Sequence, residues 1–536
     1  MRQFLPWFTL LCLTAVSAFA RTAPDPGKVV VIANATVPES LELAQFYLES
    51  RSIPQENLIV LHTSTEATIP REQFIREILH PVREQLLERG LVEGTLLDNI
   101  TDDSGRYAFQ VYETQFHYLV LCMGVPLKVA SVAITPDAEL SDRIPAGLQT
   151  TQASVDSELA LVAASNQRWL GPVANPLFQV PSPTQLDYTE VISVCRLEGP
   201  TFEHAKSLVR DAIAAEQRSF LSGRAYIDLH SHHADGNLWL REAATHLRAY
   251  GYDVELIPPG RHWSITDRHD APAIYLGWYQ VHAAGPMLPP ASIPTGAIGA
   301  HIHSYSAASL RTPSRNWAGP LVNAGFTVTF GNVYEPYLQL TLRPDLFIEL
   351  LLRGYCLGDA SLYAQPSVSW QNVTLGDPLY QPFQPTHEWN PIHILNSSDS
   401  TPYERIIALN RIASQNTGLA CQHAVDAQTQ FPSIPLAIKI LETWSNHIST
   451  STRNQLHDYL SSRPMIPSSL APFYLNTFKS LRDTDDANIA QRFMQLMHQS
   501  RSQWEPELQE SFDSISSTHD SHPKPTDSDA KTKFND

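Results

Sequence analysis

From Lys28 onward, continuous apolar runs alternate with amphipathic stretches. KVVVIAN, ending in Asn34, is an unbroken apolar run of the kind seen when a parallel strand is covered on both faces. Leu41, Leu43, Ala44, Phe46, Tyr47 and Leu48 then recur at helical intervals, with Ser40 placed to cap them. NLIVLH predicts a second strand, a helix opens at Thr68-Ile69-Pro70 and runs to about Arg89, and FHYLVLCMG predicts a third strand. Residues 92–116 hold Gly, Asp and Asn without periodicity and read as a loop. Strand and helix in alternation predict a doubly wound α/β unit over 28–200.

Residues 131–190 are irregular and rich in Pro, Ser and Asn, with one exception, ASVDSELALVAA. There Asp156 and Glu158 open a short apolar helix. They serve either as acidic residues that favour a helix start or as a ligand site. VISVCRLEGP predicts a strand, and Thr201 starts a helix through Glu216. A second α/β unit over 201–386 follows: RAYIDLH, a helix closed by Gly251, YDVELIP, then AIYLGW, GAIGAHIH and FTVTFG continuing the same sheet. RPDLFIELLLRGYCLGDASLYA reads as one or two helices broken at Gly354 or Gly358, and SWQNVTLGDPLYQPF closes the unit at Phe383. Beyond a polar linker at 387–402, apolar residues at helical intervals predict a series of short helices over 403–515, an all-α, degenerate repeat-like domain. Residues 516–536 lack apolar content and read as a disordered tail.

At 536 residues the chain exceeds what one hydrophobic core usually serves, which agrees with several domains. A net charge of −18 argues against nucleic acid or an anionic membrane as main partner, since both repel a polyanion. The opening MRQFLPWFTLLCLTAVSAFA combines Arg2, a short apolar run and Ala18-Phe19-Ala20, and reads as a secretory signal over 1–20. No later stretch reaches eighteen apolar residues, so the mature chain is expected to be exported, periplasmic or extracellular, without a transmembrane segment. Cys122, Cys195, Cys356 and Cys421 each sit in an apolar run, and buried free thiols are expected.

The candidate chemistry gathers between Ala273 and Tyr337, where three apolar runs each end in His, Ser, Trp, Tyr, Asn or Glu. Ligands of open parallel sheets bind beyond the carboxyl ends of the strands. Ser304 or Ser306 is a candidate nucleophile, with His303 or His282 as base. His282 is the better placed, because adjacent residues on an extended strand point to opposite faces. His301 and His303, two apart, share a face. With His230 and His232 from the end of another strand they could hold a divalent cation, although no HExxH or paired C-x-x-C accompanies them. Trp278, Tyr279, Asn332 and Glu335 complete the edge as ligand-binding candidates, with packing and loop hydrogen bonding as the plainer accounts.

In order, VVVIANATVPESLELAQFYLESRSIPQENLIVL, YLVLCMGVPLKV, ASVDSELAL, GWY, HIHSYSAASLR, FGNVYEPY and SWQNVTLGDPLYQPF resemble a family of exported bacterial proteins from genomes that encode the exosortase sorting system. The resemblance spans roughly residues 28–386. A more distant one is to the gingipain-type cysteine peptidases of the caspase clan. It rests on Asp156 in an acidic segment, on Val194–Thr201 and on Leu375–Tyr380, in that order. It implies two successive caspase/gingipain-like subdomains, the second carrying the chemistry, and at Asp156 a pocket for a cation or a basic side chain. Those peptidases place a catalytic His at one strand end and a nucleophilic Cys at the next. Here Trp278 stands where Gly-His-Gly is expected, and His303 or Ser304 falls near the Cys position. A thiolate nucleophile needs both sulfur and base. The resemblance therefore implies a frame without its catalytic pair, and a module that binds a peptide or cell-envelope protein partner. A Ser/His hydrolase and a metal-dependent enzyme are the alternatives.

Overall fold

The computed structural model describes residues 23–520 apart from 103, 133–143, 166–169, 219, 231–233, 288–291, 386–388 and 483–486. The expected leader at 1–20 and the tail beyond 520 lie outside the described residues.

The unbroken apolar runs become buried parallel strands. β1 (Val29–Asn34) is buried throughout and lies between β2 (Leu58–Leu61) and β3 (Tyr118–Cys122), in register Val31↔Leu58 and Val29↔Tyr118. β4 (Ser193–Leu197) pairs with β3 at Ser193↔Tyr118. A second parallel sheet contains β5 (Arg224–Asp228), β6 (Val254–Ile257), β7 (Pro272–Trp278) and β8 (Ile298–Ile302) in the order β6-β5-β7-β8. Its carboxyl edge is therefore built from the ends of β5, β7 and β8.

The run FTVTFG does not stay in that sheet. Val328 makes one parallel bridge to Ile298, and the chain then swings over, so that β9 (Thr329–Asn332) and β10 (Asn372–Leu375) join the first sheet. That sheet runs β9-β10-β4-β3-β1-β2, with β9 antiparallel to β10. Gly299 permits the crossing, because a Cβ there would lie 2.6 Å from the Phe326 ring. The two sheets thus meet edge to edge at β8 and β9.

α1 (Pro38–Arg51) starts two residues before the expected cap. Ser40 instead accepts a 2.9 Å hydrogen bond from the Asn34 N–H and ties the helix to the end of β1. α2 (Phe202–Ala215) is capped by Thr201, which accepts from the His204 N–H. α3 (Ala234–Tyr250) ends at Gly251 with φ +127°, and α4 (Ala318–Ala324) packs near β9. α5 (Pro344–Leu352) and α6 (Leu357–Ala364) are separated at Gly354, φ +85°. Residues 92–116 are not a loop: Val92–Thr101 and Tyr107–Thr114 pair antiparallel. Most of Val92–Thr101 is exposed, so the hairpin carries little of the apolar alternation that marks a half-buried strand.

The expected linker contains a helix, Pro391–Asn396, capped by Asn390. Seven further helices from Pro402–Ala413 to Pro506–Asp520 follow among the described residues, the last continuing past residue 516. They share one core with the second sheet, in which Leu247 and Tyr250 of α3 cluster with Ile407, Leu436 and Ile440. Polar ties fix the same junction: Lys439 Nζ meets Asp253 at 2.6 Å, and the Tyr403 hydroxyl donates to Asp270 at 2.6 Å. All four described cysteines are buried and free. No described helix is long and apolar enough to cross a membrane.

Candidate functional site

Trp278 ends β7, is 2% exposed, and donates from its indole N–H to Asn237 Oδ1 at 3.0 Å. It fits only because α3 carries Gly236 against it, where a Cβ would come 2.4 Å from the indole ring. Tyr279 follows at φ +76° and is 44% exposed. Its ring stands edge-on to Trp278 at 5.6 Å and tilted to His303 at 5.3 Å and to His230 at 5.4 Å. Tyr305 (φ +61°) and Tyr337 (φ +59°) are also exposed and also left-handed. A left-handed backbone costs a non-glycine residue on the order of 1 kcal/mol, and such strain collects at functional sites. Trp278, Tyr279, His303, Ser304, Glu335 and Tyr337 line a cleft of about 170 Å³.

Neither candidate serine hydroxyl is hydrogen-bonded to a histidine ring among the described residues. Ser304 Oγ donates to Glu335 Oε2 at 2.6 Å, while Glu335 Oε1 accepts the Tyr337 N–H at 3.1 Å. His303 Nδ1 faces the Ser304 carbonyl oxygen, which makes that nitrogen a donor and not a base toward the hydroxyl. His282 Nδ1 accepts the Asn316 N–H at 3.0 Å. Ser306 is 1% exposed. Its hydroxyl accepts from the Asn332 N–H at 3.0 Å, and its carbonyl accepts from Trp317 and Ala318. Asn332 is itself buried at the end of β9, where its main chain ties this turn by donating to Ser306 and accepting the Ala307 N–H, while its side-chain Oδ1 has no hydrogen-bond partner among the described residues.

The described histidines are not grouped to hold a cation. His301 is buried, its Nε2 accepts the Gln280 N–H at 2.9 Å, and Nδ1 lies 2.9 Å from the Tyr275 hydroxyl. Its ring stacks on Trp317 at 3.6 Å and 4°. Burial and the neighbouring His303, His262 and His230 hold it neutral, well below the usual histidine range. With both nitrogens engaged it has no lone pair for a metal. His230 stacks against His262 at 5.9 Å, and His232 lies outside the described residues. Among the described residues no three His, Cys, Asp or Glu side chains are grouped to hold a metal ion.

Asp156 and Glu158 are occupied from within. Arg196, fully buried, contacts Asp156 at 2.6 Å through Nη2 and at 3.1 and 3.2 Å through Nε, and Glu198 through Nη1 at 2.8 Å. Burial pushes the Asp156 carboxyl up and Arg196 pulls it back. With a guanidinium that keeps its proton at 2.6 Å, the pair is ionic. Glu158 meets Arg71 at 3.0 Å and accepts from Ser369. The basic group expected at Asp156 is thus an arginine of this chain.

One pair escapes the sequence reading. Asp228, 1% exposed at the end of β5, accepts the Trp263 N–H at 3.3 Å and faces His262 Nδ1 at 3.3 Å, while its Oδ1 has no partner. Burial pushes its carboxyl up to about 6, against the opposing pull of the Trp263 N–H and His262. A carboxyl closing the apolar run RAYID is the one signal in the sequence. His262 lies in an aperiodic loop and gives none.

No family model matches the chain, and the comparison with curated proteins finds no match. Among solved structures, a chain described as "Structure of Protease" is similar at a TM-score of 0.37 and 9% identity, over 68% of this chain and 80% of that one. That likeness is too loose to carry an argument.

Proposed function

We propose that the chain is an exported recognition protein. In this reading a caspase/gingipain-type α/β frame, with its catalytic pair absent, uses the strand-end cleft to bind a peptide segment of a cell-envelope partner without cleaving it. The observation that carries the reading is the pair of exposed tyrosines, Tyr279 and Tyr337, both held at positive φ beside a cleft in which the Ser304 hydroxyl is committed to Glu335. Strained, exposed aromatic residues offer large contact area with few torsions to freeze on binding. The export and sorting context comes from the leader-like opening and from the sequence resemblance. A hydrolase is the second reading. It is favoured by Asp228 and His262, a carboxyl–imidazole pair at the same sheet edge.

The test is a fluorescent peptide library presented to the mature chain, with binding and cleavage read in the same wells. Uncleaved peptides should bind, and Tyr279→Ala or Tyr337→Ala should weaken them about tenfold, as expected for loss of an aromatic contact. Time-dependent cleavage abolished by His262→Ala or Ser304→Ala would replace recognition with hydrolysis.

A further inference from the structure

We infer that the cleft beside Tyr279 is an aromatic cage for a quaternary ammonium group, the anchor of whatever ligand this edge recognises. The inference rests on the recognition reading and names its chemistry. Trp278 and Tyr279 meet at 72° and Tyr279 and His303 at 53°, so the three rings lie in different planes and not in a flat stack, with Trp278, 2% exposed, backing the exposed Tyr279. Tyr337 lines the same cleft of about 170 Å³, and Glu335 contributes a carboxylate. A cation among aromatic faces is drawn by their quadrupoles, more strongly as the site is desolvated. The carboxylate and the chain's net charge of −18 add a field of the same preference.

The acceptors decide which cation. Glu335 Oε2 already takes the Ser304 hydroxyl, Oε1 the Tyr337 N–H, and His303 Nδ1 is engaged with the Ser304 carbonyl. Each Glu335 oxygen keeps a second lone pair for one N–H group, but a primary ammonium or guanidinium entering the cleft would still turn its remaining N–H groups toward aromatic faces, at a desolvation cost. A quaternary ammonium has no N–H to satisfy and presents only methyl groups to the rings. Backbone strain at Tyr279 and Tyr337 is consistent with this use, since both left-handed residues are cleft walls.

The experiment measures binding of choline and of its neutral isostere 3,3-dimethylbutan-1-ol to the full mature chain by calorimetry. A second arm compares one peptide carrying either lysine or trimethyl-lysine. Choline should bind about tenfold more tightly than the isostere, a ratio lost in Tyr279→Ala and Glu335→Gln and largely kept in Tyr279→Phe. A trimethyl-lysine preference of similar size assigns the ammonium to a peptide side chain, whereas choline binding without it assigns it to a small solute. Equal binding of choline and isostere overturns the cage. If the peptide library still yields binders that depend on Tyr337, the recognition reading survives that result. If nothing binds in either experiment, both fail.

Discussion

Replacing Asp156 with alanine separates two roles for the same carboxylate. If Asp156 received a ligand's basic group, the variant would lose ligand and keep its fold. The geometry gives the opposite expectation. Arg196 is 0% exposed and reaches Asp156 through three contacts of 2.6–3.2 Å, while its remaining donors go to Glu198 and to the carbonyls of Val125 and Pro126. Asp156→Ala leaves Nε and part of Nη2 buried beside an apolar methyl group, and water has little access. Breaking a buried pair from one side costs ~3–5 kcal/mol, more than the pair itself contributes relative to an apolar isostere. Loss at the upper end is tempered here, because Glu198 still faces the guanidinium and is itself held by Arg311 at 2.7 Å. We expect about 3 kcal/mol. Urea titration read by amide exchange in β3 and β4 reports the first sheet without assuming that the whole chain unfolds at once. The double variant Asp156→Ala/Arg196→Met should recover much of the loss, since it removes the orphaned charge as well. A single variant within 1 kcal/mol of the parent, or a double variant worse than the single, would refute the reasoning.

Asp228 predicts a pH dependence. Its folded pKa of about 6 lies above the ordinary carboxyl value of 3.8, so between these values the folded state binds more proton than the unfolded. Stability from this group is fully present below about pH 4 and is lost as pH rises through 6, a swing of up to roughly 3 kcal/mol. Asp228→Asn should flatten that slope, seen by comparing urea midpoints at pH 4.5 and 7.5. Buried neutral histidines such as His301 add stability over the same interval, so the parent-minus-variant difference isolates the carboxyl, and a difference that stays constant or grows from pH 4.5 to 7.5 would contradict it. His301→Ala strands the Gln280 N–H and opens a void beside Trp317, so a loss of about 2–4 kcal/mol is expected by thermal unfolding. Zinc should stabilise neither parent nor variant; a zinc-dependent rise in Tm confined to the parent would restore the metal reading. Lys439→Ala leaves half-buried Asp253 with Asn410 as a remaining side-chain partner, and should raise proteolysis of the helical array well before that of the first sheet. Unchanged cleavage order would show that the apolar junction alone holds the array.

What the sequence discloses and what it hides follow from where each signal resides. β1, β3, β7 and β8 are legible because strands covered on both faces read as near-continuous apolar runs, broken here only by hydrogen-bonded groups such as Asn34 and His301. The 92–114 hairpin is not, since its surfaces are largely solvated and leave the pattern with nothing to alternate. The departure of Thr329–Asn332 to the first sheet is hidden for another reason. Its partner β10 arrives only after α5 and α6, so no local feature of FTVTFG chooses between the two sheets. The site divides the same way. Strand-end position places Trp278, Tyr279, His303, Ser304 and Glu335 on one cleft, because all follow from where apolar runs stop. Partner choice depends on side-chain direction, and here the turn decides it. Tyr305 adopts a left-handed backbone, Ser304 turns out toward Glu335, and Ser306 turns in beneath Asn332. An extended-strand rule for alternate faces cannot apply across such a turn. Asp156 shows the strongest form of this limit: a buried carboxylate and a ligand-binding carboxylate look the same in sequence until Arg196, forty residues on in the adjoining sheet, is seen to fill the space.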